Sequence, residues 1–150
     1  MKFIHPLIGL LTFTPLALCR GPESWTCQTK SSKGSHDSLR KIHGKFNDIF
    51  GKGPLSLEID QCYVAECEGA YFGICNWDPS TDTKNKKKIQ ENSGVRDKVK
   101  DMDPGANIQC DWLDSRAALY TYSVGEIPII VNSTATNNDV PYILKKCAGP

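Results

Sequence analysis

The sequence predicts an α+β fold, in which one main helix packs on an antiparallel β-sheet and disulfides hold the domain together. Three observations lead to this prediction: helical apolar spacing early in the chain, several strand-like segments after it, and seven cysteines in 150 residues. Asp37 or Ser38 can cap the helix, and Gly51 can end it. Its apolar residues recur at spacings of three and four: Leu39, Ile42, Phe46, Ile49 and Phe50.

Strand patterns and a polar loop follow this helix. Residues 78–94 are polar and rich in lysine, which predicts an exposed loop that passes into a short helix through Val95 and Val99. The segments with strand character are 55–60, 70–77, 108–112, 117–124, 127–131 and 140–146.

The first nineteen residues have the layout of a secretory signal peptide. One basic residue, Lys2, precedes an uncharged apolar stretch that runs to Cys19. Pro6 and Pro15 interrupt this stretch, which is short against the roughly 20 apolar residues of a membrane span. We therefore expect cleavage after residue 19, and one secreted domain over residues 20–150 that does not associate with membranes.

The expected mature domain carries no net charge. One of the 18 basic residues lies in the signal peptide, which leaves 17 against 17 acidic residues. A neutral domain does not bind nucleic acid through bulk charge. Phosphate-binding loops and dinucleotide fingerprints are absent from the sequence, so we expect no cofactor.

The six cysteines of the mature chain are expected to form three disulfides. An even number in a secreted chain is typical of disulfides, and the spacing lacks the paired C-x2-C of a zinc site, so we expect no metal. Because the first and last of them bracket the domain, we expect Cys27 to pair with Cys147; closing this long loop stabilises by roughly 4–5 kcal/mol in the chain-entropy model. The six are Cys27, Cys62, Cys67, Cys75, Cys110 and Cys147.

A hairpin suggests a second pairing. If Glu68-Gly69 form a two-residue turn, Cys62 lies opposite Cys75 on the next strand. Cys67 is then left for Cys110.

The residues that could perform acid–base chemistry are few. His36 and His43 are the histidines of the mature chain, and both lie in or just before the predicted helix. His43 follows Ile42 and fits the boundary of the core better than a catalytic site. Asn132 begins an Asn-Ser-Thr sequon and is a candidate glycosylation site.

Several short motifs resemble one group of fungal proteins. Residues 114–120 and 124–134, followed by the terminal Cys147, look like the closing strands of the small guanyl-specific ribonucleases of fungi. Trp25-Thr26-Cys27, just after the signal peptide, resembles the aromatic-x-Cys motif of the ribonuclease-like effectors that powdery mildew fungi secrete into host cells.

The resemblance implies a helix packed on an antiparallel sheet, with a disulfide that joins the two ends of the domain. In the ribonucleases an arginine, a glutamate and two histidines on the sheet transesterify RNA. Arg116 matches the arginine, and Glu58 and Asp111 are the candidates for the glutamate. Asn132 stands at the histidine that acts as general acid, and an amide has no proton to give. Four extra cysteines also depart from the mildew proteins.

These departures predict a ribonuclease-like scaffold without enzymatic activity. On this interpretation the protein is a monomeric effector, of the virulence or avirulence type, that is secreted and delivered into host cells. Arg116, Asn132, Glu58 and Asp111 would bind a host protein, such as an immune receptor, or RNA. One alternative is an active secreted ribonuclease that uses carboxylates and Arg116. Another is a killer-toxin-like protein acting on membranes, against which the lack of an exposed amphipathic apolar stretch counts.

Overall fold

The elements of the fold follow from a computed structural model that describes residues 24–30, 33–77, 84, 86–115, 117–128 and 142–147. Two helices and eight strands lie in these residues. The helices are α1 (His36–Phe50) and α2 (Ser93–Val99). The strands are β1 (Thr26–Lys30), β2 (Ser56–Leu57), β3 (Cys62–Cys67), β4 (Ala70–Asn76), β5 (Ile89–Gln90), β6 (Asn107–Leu113), β7 (Ala118–Val124) and β8 (Tyr142–Lys146).

Helix α1 confirms the predicted main helix and begins slightly earlier than expected. Ser35, rather than Asp37 or Ser38, is the cap: its side chain accepts a hydrogen bond from the Ser38 backbone N–H at 3.1 Å. Gly51 ends the helix. The apolar stripe faces β3 and β4, where its central residues are fully buried: Leu39, Ile42 and Phe46.

The main sheet has six strands in the described part of the chain, in the order β1-β6-β7-β4-β3-β8. The sheet is mixed, which corrects the predicted antiparallel arrangement. Adjacent strands of the sheet run antiparallel except at one edge, where β8 lies parallel to β3. The sequence gives no sign of this direction, because the residue pattern of a strand is the same read either way.

The hairpin between β3 and β4 confirms the predicted turn. Glu68 and Gly69 both have positive φ, 52° and 80°, as the two central residues of a type I′ hairpin turn require. Across this hairpin Cys62 lies opposite Cys75, and the two form a disulfide.

The other two disulfides differ from the predicted pairs. Cys27 bonds to Cys110, and Cys67 bonds to Cys147. The predictions of Cys27–Cys147 and Cys67–Cys110 were therefore wrong. The reason is strand order: β1 pairs with β6, which places Cys27 opposite Cys110, whereas parallel β8 delivers Cys147 to the end of β3. The Cys147 N–H also donates to the Glu66 carbonyl at 2.9 Å.

Two other predicted strands differ from the described structure. Of residues 55–60 only Ser56–Leu57 form a strand, which pairs with β5 in a small second sheet, and Ile59 is 43% exposed. The predicted strand 127–131 has no strand at residues 127–128, and its remainder lies outside the described residues.

The core lies between α1 and the inner face of the sheet, by which we mean the face that α1 covers. The Phe46 ring packs edge-on against Phe72 of β4, with 5.2 Å between ring centroids. Tyr120 and Tyr122 of β7 are also fully buried in this core. The opposite face, here called the outer face, carries the alternate residues of each strand.

Candidate functional site on the outer face of the sheet

The outer face is organised in rows of cross-strand neighbours. Since side chains alternate along a strand, the residues between the core positions of β3, β4, β6 and β7 point away from α1. One row, here called the polar row, consists of Gln109, Ser123, Tyr71, Glu66 and Lys146. The next, here called the Asp111 row, consists of Asp111, Thr121, Gly73, Val64 and Leu144.

Asp111 is the predicted site residue that the fold places on this face. It lies half-buried on β6, opposite Thr121 of β7. Burial raises the pKa of its carboxyl group, although a hydrogen bond with Thr121 opposes the shift. A carboxyl group held partly away from water can exchange a proton or form a strong hydrogen bond with a bound molecule.

Tyr71 and Glu66 form the second polar feature of this face. Burial raises the pKa of the Tyr71 hydroxyl, and the neighbouring Glu66 carboxylate raises it further. Lys146 of β8 lies 4.0 Å from Glu66. The polar row therefore offers a hydroxyl, a carboxylate and an ammonium group side by side.

Of the described residues on this face, those at its margin are the ones open to solvent. Thr121 and Ser123 at its centre are fully buried, whereas Asp111, Tyr71 and Glu66 are partly exposed. After β7 the chain turns, and the Ser123 hydroxyl donates to the Glu126 carbonyl at 2.6 Å. Ile127 then packs against the apolar end of the face, which consists of Cys62, Val64, Cys75 and Leu119.

Neither histidine of the described residues lies on the outer face. The His36 ring bonds through Nε2 to the Lys100 carbonyl at 2.8 Å, and the His43 ring bonds in the same way to the Arg96 carbonyl at 3.1 Å. A carbonyl only accepts, so Nε2 donates in both rings. Burial, and then the charge of Lys100, lowers the pKa of His43. Both histidines thus fasten α1 to the α2 segment.

The remaining predicted site residues do not join Asp111 in the described structure. Glu58 follows β2 in the small sheet and is 63% exposed, with its carboxylate 3.2 Å from Lys88. Arg116 and Asn132, the latter also the glycosylation candidate, lie outside the described residues.

A buried polar cluster on the inner side was missed by sequence reasoning, which expected residue 91 in an exposed loop. Arg96 Nη1 donates to Asn47 Oδ1 at 2.8 Å and to the Gly51 carbonyl at 2.7 Å, and Nη2 donates to Glu91. The Tyr120 hydroxyl donates to Glu91 at 3.0 Å. Burial, and then the Glu91 charge, raises the pKa of Tyr120. One sequence signal could have pointed to this cluster: Arg96 lies next to the apolar residue 95 in the segment whose spacing, residues 95 and 99, predicts a short helix.

Three further findings bear on the kind of site. Three disulfides fit an extracellular or secreted protein. Across the described ranges, histidine, cysteine and carboxylate side chains form no group of three that could hold a metal ion. Neither described helix has the length and apolar character needed to cross a membrane.

Comparisons with known proteins return no relative. Neither the models of protein families, nor the curated proteins, nor the solved structures contain a match to this chain.

Proposed function

We propose that this protein is a secreted effector, of the virulence or avirulence type, that binds a host protein through a ribonuclease-like scaffold and does not cleave RNA. The observation that carries the proposal is the separation of the histidines from the outer face. His36 and His43 bond to carbonyls of the α2 segment, while the outer face presents Asp111 opposite Thr121.

The chemistry of RNA cleavage explains why this separation matters. One group must take the proton of the 2′-hydroxyl and another must protonate the leaving oxygen, each contributing roughly 10²–10⁴-fold. Asp111 can serve as one such group. By the resemblance, the second would stand at residue 132, where an asparagine amide has no proton to give.

The charges of the outer face favour a protein over RNA as the partner. Among the described residues, its exposed margin carries two carboxylates, Asp111 and Glu66, against one ammonium group, Lys146. An RNA backbone is held chiefly by cationic side chains that neutralise its phosphates. A protein surface can instead match carboxylates and hydroxyls with its own cations and amides.

An active ribonuclease is the second candidate function, and the raised pKa of Asp111 favours it. Incubation of labelled RNA with the purified protein decides between the two. We expect no cleavage by the unmodified protein, and a gain of cleavage in Asn132→His if the scaffold is ribonuclease-like. Cleavage by the unmodified protein that is lost in both Asp111→Asn and Arg116→Ala would establish the ribonuclease instead.

Binding to a host protein is tested with two matched pairs of variants. Asp111→Asn and Glu66→Gln change the outer face, while Asp101→Asn and Glu68→Gln make the same chemical changes at exposed positions away from it. The immobilised proteins are compared for the host proteins that they retain from tissue extract. The proposal requires proteins that both controls retain and both outer-face variants lose; equal retention by all four variants contradicts it.

A further inference from the structure

A groove between α1 and α2 has features that neither the fold nor the outer face explains. It is a shallow depression of about 680 Å³. Arg40, Lys41 and Gly44 line it from α1, and Asp97 and Lys100 line it from α2 and the residue after that helix. It lies on the side of α1 that does not face the sheet.

The groove concentrates positive charge in a chain that is otherwise nearly neutral. Five cationic side chains line it, against the carboxylates of Asp48 and Asp97. One of the five, Lys41, pairs with Glu68 outside the groove at 2.9 Å, which leaves an excess of two positive charges. Within the described residues, Arg40, Lys52 and Lys100 form no ion pair. The five cationic residues are Arg40, Lys41, Lys45, Lys52 and Lys100.

Gly44 is the second feature, because the fold does not require a glycine there. It lies in the interior of α1, and its φ is not positive. A Cβ added at Gly44 would meet no atom within 4 Å. Since glycine destabilises a helix interior relative to alanine, Gly44 lowers the stability of α1, and no contact within the described part of the fold requires it. The absent side chain leaves the helix backbone open to a close approach from outside.

We propose that this groove docks an acidic segment of a partner protein. The partner main chain crosses α1 at Gly44, and its carboxylates lie against Arg40, Lys52 and Lys100. The two carboxylates of the groove, Asp48 and Asp97, repel any anionic group beside them, but they can accept hydrogen bonds from the peptide N–H groups between a partner's carboxylates, donors that a phosphate backbone does not offer. This inference rests on the proposed function in one respect, that the protein acts by binding another protein.

The decisive variant is Gly44→Ala. If the fold required a glycine here, the variant would be less stable; if the glycine serves docking, the variant should be more stable and should bind its partner more weakly. The added methyl group should raise the melting temperature by roughly 2–5 °C. The same group should weaken docking roughly tenfold by holding the partner away from the backbone. Gly53→Ala is the control for docking alone: its Cβ also meets no atom within 4 Å and Gly53 does not line the groove, but it lies after α1 and carries no gain in helix stability.

Docking is measured by NMR titration of the purified, disulfide-bonded protein with a short peptide of alternating glutamate and glycine. We expect the amide signals of Gly44 and Lys45 to shift, and the affinity to fall in Lys100→Gln. A peptide with glutamine in place of glutamate should leave these signals unmoved.

Three results would overturn the inference. The first is a Gly44→Ala variant that is more stable yet binds the peptide as tightly as the unmodified protein. The second is equal binding of the glutamine peptide. The third is oligouridine RNA that shifts the groove signals when the acidic peptide does not. Each leaves the proposed function intact, since retention of host proteins that depends on Asp111 is measured separately.

Discussion

Arg96 and Glu91 form an ion pair whose side chains are 1% and 0% exposed to solvent. The Arg96 guanidinium also donates to the backbone carbonyls of Gly51 and Gly53, at 2.7 and 2.6 Å. One side chain on α2 therefore holds the end of α1 and the segment that follows it. Through Glu91, the same cluster reaches Tyr120 of the main sheet.

We expect Arg96→Ala to lower the free energy of unfolding by about 3–5 kcal/mol, because it leaves the Glu91 charge buried without its partner. Urea denaturation of the variant measures this change. Lys98→Ala, on the exposed side of the same helix, is the control and should change stability by less than about 0.5 kcal/mol. Equal stability of the two variants would mean that the cluster does not hold α1 and α2 together.

We expect Phe46→Ala to cost about 3–5 kcal/mol, because the Phe46 ring is fully buried between α1 and Phe72. Thermal and urea unfolding both report the loss. Lys45→Ala changes the adjacent, exposed side chain and should be close to neutral. A cost below about 1 kcal/mol for Phe46→Ala would contradict the packing of α1 on the sheet.

The Cys67–Cys147 disulfide should be reduced before the buried Cys62–Cys75 disulfide. Both cysteines of the first are partly exposed and line a groove of about 680 Å³ beside α1, whereas both of the second are fully buried. A reductant must reach the sulfur that it attacks, so access sets the order. Brief treatment with reductant, alkylation and peptide mapping reveal which cysteines react first. Early alkylation at Cys62 or Cys75 would refute this order.

Stability should fall as the pH drops below the ordinary pKa of histidine, 6.5, because the pKa of His43 is lowered in the folded state. In that range the unfolded chain binds a proton that the folded protein does not, so acid favours unfolding. His43→Gln removes the titrating group and should flatten the dependence, while His36→Gln serves as the control. Unfolding free energies measured between about pH 5 and 8 test this, and an unchanged slope in His43→Gln would exclude His43 as its source.

Part of the outer face was accessible to sequence reasoning. Asp111 was identified as a candidate from the resemblance, and the fold places it on the outer face. Tyr71 was not identified, although the Glu68-Gly69 turn that sets Cys62 opposite Cys75 also sets Tyr71 opposite Glu66. Thr121 was not identified, because only the pairing of β6 with β7 places it beside Asp111. Glu58, the other candidate for the same role, lies in the small sheet because the predicted strand 55–60 ends after Leu57.

The sequence by itself determined the elements that depend on neighbours in the chain. The apolar spacing fixed α1, and the Glu68-Gly69 turn fixed the register that joins Cys62 to Cys75. Both rest on short-range periodicity and on the backbone preferences of a turn.

Only the tertiary structure decided the contacts between distant segments. The parallel position of β8 beside β3, and hence the bond from Cys67 to Cys147, depends on which strand edge remains open once the other strands have paired. The burial of Arg96 likewise depends on α2 reaching the end of α1. Local residue patterns do not determine these contacts, because the contacts depend on how whole helices and strands pack against one another.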